Sequence, residues 1–87
     1  MSYTVTWKQS AADQLAEIWM SVSDRRAVTA AADSLDAALR ADPCRHGESR
    51  GGTSRLVIVP PLAVVYDVSE ADRLVEILSA RYTEKRP

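Results

Sequence analysis

Arg55 to Tyr82 reads RLVIVPPLAVVYDVSEADRLVEILSARY, and the placement of this stretch decides the fold. It holds most of the strongly apolar, β-branched residues of the chain. Arg55-Leu56-Val57-Ile58-Val59 is a short apolar run ended by Pro60-Pro61. Val, Ile and Leu in a row, bounded by turn residues, predict a strand buried on both faces. The prolines cannot donate to a ladder and mark a turn or a strand edge. Leu62 to Val68 is a second run of the same kind, and Ser69-Glu70-Ala71-Asp72 is a polar connecting turn. Arg73 to Tyr82 is open to two readings. As a strand it puts Leu74, Leu78, Ala80 and Tyr82 on one face, interrupted by Glu76. As a helix it puts Leu74, Ile77, Leu78 and Arg81 at helical spacing, with Ser69 and Asp72 resembling a capping box.

Upstream, Tyr3, Val5 and Trp7 alternate with Thr4 and Thr6, the pattern of a half-buried strand. Ser10 is a candidate N-cap, with Asp13 at the third helical position. The helix that follows carries Leu15, Ile18, Trp19 and Val22 at i, i+3, i+4 and i+7. Ser21-Val22-Ser23-Asp24 breaks it. A second helix carries Val28, Ala31, Ala32, Leu35 and Leu39 on one side and ends at Asp42-Pro43, because the residue before proline is pushed out of the α region. So short a connection predicts an antiparallel helical hairpin. Trp7 and Trp19 are expected in the core. Pro43 to Ser54, PCRHGESRGGTS, has no apolar residue apart from Cys44 and reads as a functional loop.

The chain has 87 residues, enough for one domain spanning residues 1–87. Apolar residues make up 46%, and the formal charge is -1 with 26% of residues charged. That balance gives no electrostatic drive for unspecific nucleic-acid binding. One cysteine permits no internal disulfide, and one His with one Cys falls short of a zinc set, so neither metal nor cofactor is expected. There is no long apolar run, and YTVTWKQS has no signal-peptide core. A cytoplasmic protein without membrane contact is the expectation.

The order strand, helix, helix, loop, strand, strand and the YTVTWKQSAADQLAEIW, LRADP, HGESRGGTSRL and PPLAVVYDVSEADRLVEILSARY segments resemble the RelE/ParE superfamily of bacterial toxins from type II toxin–antitoxin pairs. The resemblance covers almost the whole chain. It implies that Arg73 to Tyr82 is a strand. The fold expected is therefore α+β: an N-terminal strand, an antiparallel helical hairpin, then a three-stranded antiparallel meander forming one sheet with the first strand. It also implies a toxin held inactive by a cognate antitoxin that covers apolar surface on the hairpin or the sheet edge.

Some members of that superfamily resemble ribosome-dependent mRNA endonucleases, in which a 2′-hydroxyl attacks the neighbouring phosphate. Such chemistry needs a base, a cation at the phosphate and an acid for the leaving oxygen. The candidates here are Glu48 or His46 as base, Arg50, Arg55 or Arg81 as phosphate clamp, and Tyr82 to stack on a nucleobase or donate a proton. His46 and Arg50 are the candidate nucleic-acid contacts. The nuclease pattern carries an arginine three residues before the tyrosine matching Tyr66, and here that position is Ala63. Arg55 is the candidate to reach the same space from the adjacent strand. The ParE-like branch lacks the nuclease set and poisons DNA gyrase. Ala63 and the near-neutral charge favour this protein-target reading, with ribosome-bound mRNA as the alternative target and a non-toxic member as the third. The plain structural reading makes His46 and Glu48 solvated loop residues, Arg55 a strand-end charge, Arg81 a surface charge and Tyr82 a core-rim aromatic.

Overall fold

The computed structural model describes residues 2–44, 48–52 and 54–83. In chain order the elements are β1 (Thr4–Trp7), α1 (Gln9–Ser21), α2 (Arg25–Ala41), β2 (Glu48–Gly51), β3 (Ser54–Val59), β4 (Leu62–Ser69) and β5 (Leu74–Tyr82). The strands form one sheet in the order β1-β5-β4-β3-β2. β1 lies parallel to β5, and the remaining neighbours are antiparallel. The chain therefore leaves β1, runs through the helical hairpin and returns to lay its last strand beside its first. α1 packs against β5, and α2 reaches β1, β3 and β4.

β5 is a strand, as the family resemblance implies, and its backbone is paired along its length with β4. β2 falls inside the segment expected to be a loop. Its four residues carry no apolar signal, and it is extended because β3 offers a free ladder: Glu48 sits opposite Leu56, Ser49 opposite Arg55 and Gly51 opposite Ser54. Strand identity here comes from pairing and not from local preference.

The helices are set by their apolar faces. Asp24 caps α2 by accepting from the Ala27 N–H at 3.1 Å. Val28, Ala31, Leu35 and Leu39 then fall on one buried stripe. α1 starts two residues earlier than expected. Its N-cap is Lys8, without a side-chain cap, and Ser10 lies inside the first turn. Ala11 is the one buried residue of α1, while Leu15, Ile18 and Val22 pack partly buried on the core. Trp7 is also partly buried there, but Trp19, expected in the core, is 43% exposed.

The sheet has one buried face. In β4 Leu62, Val64, Tyr66 and Val68 are buried and alternate with half-exposed residues. In β3 Val57 is buried and Ile58 is 55% exposed. Neither run is buried on both faces, since helices cover one side and no described element covers the other.

β5 does not alternate throughout. Val65 pairs with Ser79 and Tyr66 with Ile77, so Leu78 is left without an opposite residue, a β-bulge. Before it Val75 and Ile77 face the helices. Beyond it Ala80 does. The expected face of Leu74, Leu78, Ala80 and Tyr82 is therefore corrected: Leu74 and Leu78 are half-buried, and the core positions are Val75, Ile77 and Ala80. β1 ends opposite Ile77, and the Ala80 N–H farther along β5 donates to Gln14 Oε1 of α1 at 2.8 Å.

Tyr66 is fully buried, and its hydroxyl donates to the Pro43 carbonyl at 2.8 Å. This bond ties the turn after α2 to the middle of the sheet. Burial raises the Tyr66 pKa, while a hydrogen bond from Arg55 and its charge act in the opposite direction. The protonated phenol thus contributes fully to stability below the unfolded-state pKa of about 10, and the contribution is lost as pH rises through the higher folded value.

Leu35→Ala should cost about 2–5 kcal/mol in denaturant unfolding, against within about 0.5 kcal/mol for the exposed neighbour Ser34→Ala. Tyr66→Phe should cost about 1–3 kcal/mol by leaving the Pro43 carbonyl unpaired. The same variant should lose less stability than the wild type when pH is raised above about 10, because the ionising phenol is gone.

Candidate functional site

The helix-free face of the sheet presents the second set of side chains from β3, β4 and β5. Ile58, Ala63 and Arg81 form one row across the strands, since Ala63 pairs with Ile58 on one side and with Arg81 on the other. Leu56, Val65 and Ser79 form a neighbouring row. Alanine is the smallest of these, and a shallow groove of about 260 Å³ opens over it, lined by Leu56, Ala63, Val65, Ser79, Arg81 and Thr83. The Thr83 N–H donates to the Pro61 carbonyl at 2.6 Å, which fixes the end of β5 just past Arg81.

Arg81 reaches this face because of the bulge. Unbroken alternation from Val75 and Ile77 would have carried residues 79 and 81 to the helix side. The extra residue at Leu78 reverses the parity, so Ala80 turns inward and Arg81, exposed, turns outward.

The other candidates separate from Arg81. Arg55 pairs with Tyr66 in the register and hydrogen-bonds its hydroxyl on the helix side of the sheet. It does not stand over Ala63, so the expectation that Arg55 replaces the missing cation is corrected: residues directly opposite share a face, and Ala63 and Arg55 lie on different ones. Tyr82 follows Arg81 directly and so points to the opposite face. It pairs with buried Leu62 and remains 44% exposed at the rim. Glu48 occupies the β2 position opposite Leu56, one of the groove-lining residues, and Arg50 lies at the irregularity between Ser49 and Gly51. His46 lies outside the described residues.

Around Arg55 the structure gathers a group that sequence reasoning did not assemble. Cys44, exposed, donates to Glu70 Oε2 at 3.4 Å. Desolvation, then the bond and charge of Glu70, raise its thiol pKa, and the Arg55 charge opposes them. This is the opposite of an activated thiolate. The cluster joins the turn after α2 to the sheet and is structural.

Chemically, the described side chains of the groove offer one guanidinium and two hydroxyl-bearing residues in an otherwise apolar setting. A guanidinium can clamp a carboxylate or a phosphate through paired hydrogen bonds. Proton transfer requires a second, titratable group within hydrogen-bond reach, and none is among the described side chains lining the groove. Among the described residues no group of three His, Cys, Asp or Glu side chains is placed to hold a metal ion, and no described helix is long and apolar enough to cross a membrane.

No protein-family model and no curated protein matches the sequence. Solved structures do. The toxin–antitoxin complex RelBE2 from Mycobacterium tuberculosis contains a chain of TM-score 0.81 and 17% identity, with 98% of this chain and 95% of that one covered. The chromosomal ParDE toxin–antitoxin system of P. aeruginosa gives TM-score 0.70 at 15% identity, covering 94% of this chain and 97% of the other. The isolated E. coli RelE toxin gives 0.56 at 15% identity, over 97% and 87% of the two chains. With nearly the whole of each chain covered, the chain has the fold of the RelE/ParE toxins.

Proposed function

We propose that this protein is the toxin of a type II toxin–antitoxin pair, that a cognate antitoxin neutralises it in the cytoplasm, and that it poisons a protein target, DNA gyrase, without cutting RNA. The fold is that of chains solved within toxin–antitoxin complexes, which supports an antitoxin partner. The observation that carries the choice of target is the Ile58–Ala63–Arg81 row. At the middle of the helix-free face stands a methyl group, with an exposed isoleucine on one side and one arginine on the other. An apolar groove with a single cation among the described residues suits a protein surface with one carboxylate better than a chain of phosphates. Arg55 is committed to Tyr66 on the far face, and Tyr82 lies across the sheet from Arg81.

The endonuclease reading keeps one specific observation. β2 sets Glu48 opposite groove-lining Leu56 in the strand register. In that reading Glu48 is the base and Arg81 the phosphate clamp, with Tyr82 outside the reacting group.

Induced expression of the chain alone should arrest growth, and co-expression of the adjacent small reading frame should restore it. Purified protein should inhibit gyrase supercoiling, and primer extension on ribosome-bound message should show no new ends. Arg81→Ala should weaken the inhibition by roughly tenfold or more, a charge-assisted contact contributing about 1.5–3 kcal/mol. Unchanged supercoiling at high excess, together with new cleavage ends that Arg81→Ala and Glu48→Gln abolish, would replace this reading by the endonuclease one.

A further inference from the structure

The helical hairpin carries an apolar groove that the fold does not use. It lies between α1 and α2, has a volume of about 490 Å³, and is floored by Leu15, Val28 and Ala32. Two large side chains stand at its edge: Trp19, 43% exposed, and Met20, 71% exposed.

Trp19 is held in place. Its indole N–H donates to Thr29 Oγ1 at 3.3 Å, and the Arg25 guanidinium carbon lies 4.7 Å from the ring centroid. Arg25 also donates through Nε to the Trp19 carbonyl at 2.9 Å and through Nη2 to the Met20 carbonyl at 3.5 Å, satisfying the last carbonyls of α1. The polar atom of the indole is therefore occupied within the chain. What Trp19 shows to solvent is an ordered apolar surface whose rotamer freedom is already spent before any partner arrives, the condition under which aromatic anchors bind well.

The charges beside the groove are arranged symmetrically in sequence. Arg26, Thr29, Ala30 and Asp33 are all exposed and fall at i, i+3, i+4 and i+7, one stripe of α2. Neither Arg26 nor Asp33 has an ion-pair partner among the described residues. Reversing the stripe about the point between Thr29 and Ala30 superimposes Arg26 on Asp33 and Asp33 on Arg26. Small residues stand at the crossing point, where two helices must approach closely.

We infer that this face pairs with a second copy of the same chain. The two α2 helices cross antiparallel about a two-fold axis at Thr29–Ala30, with Arg26 of each copy facing Asp33 of the other and each Trp19–Met20 edge covering the apolar groove. An isologous interface requires one patch to carry both members of every contact, and this patch does: apolar knob with apolar groove, cation with anion.

Sedimentation equilibrium of the full chain tests the proposal. The wild type should move from 9.5 kDa towards twice that mass as its concentration rises through the micromolar range. Met20→Glu should remain monomeric with an unchanged circular dichroism spectrum. Arg26→Asp and Asp33→Arg should each weaken self-association by about tenfold or more, because like charges then face each other. An equal mixture of those two variants should pair again, since each supplies the charge that the other lacks. A wild type that stays at 9.5 kDa into the millimolar range while still folded would overturn the proposal and leave the groove to a different protein. A dimer insensitive to all three substitutions would overturn it too. These measurements do not depend on toxicity or on the identity of the target, so they stand apart from the proposed function.

Discussion

One extra residue in β5 sets the character of both faces of the sheet. Leu78 has no partner in β4, and the side-chain parity of the strand reverses there. Below it Val75 and Ile77 enter the core. Above it Ala80 enters and Arg81 leaves. Were the same sequence paired in unbroken alternation, with Leu78 taking a ladder position, the guanidinium of Arg81 would be driven under the helices, where an unpaired charge costs several kcal/mol. The rest of the sheet is compatible with this: β4 alternates without a break, so Leu62, Val64, Tyr66 and Val68 form a continuous apolar strip for both halves of β5 to flank. The helix-free face, with Ala63 at its middle, follows from that strip.

Much of this was written legibly in the chain. The Tyr3–Trp7 alternation, the α2 stripe of Val28, Ala31, Leu35 and Leu39, and the stop at Asp42-Pro43 all appear in the structure, because each is a local pattern reinforced by burial on one side. The ambiguity of Arg73 to Tyr82 has a physical source. Core positions Val75, Ile77 and Ala80 are spaced two and then three apart, so neither a strict strand period nor a helical one fits. Ser69 and Asp72, which resembled a capping box, are hydrogen-bonded to each other at 3.2 Å across the β4–β5 turn.

Other features were not legible because they depend on pairing partners. β2 has no apolar residue and exists through its ladder with β3. Arg55 looked like a free cation at the edge of an apolar run, and only the register shows that it sits opposite Tyr66. The candidate site was half legible: Arg81 and Ala63 were singled out through the family resemblance, but their direct pairing across β4 and β5 requires counting through a bulge that no residue type announces. Trp19 falls on the α1 stripe and so reads as core, but it stands in the last turn of α1, two residues before the helix ends at Ser21, and is 43% exposed.

The bond from the Ala80 N–H to Gln14 has a consequence for solubility. β1 stops opposite Ile77, so among the described strands the last residues of β5 run on without a neighbour on that side, the kind of template on which chains stack into fibrils. By placing one amide oxygen of α1 on that border, the fold occupies the donor that an incoming strand would need first. A small protein with a long final strand thereby carries its own stopper against runaway assembly on that border.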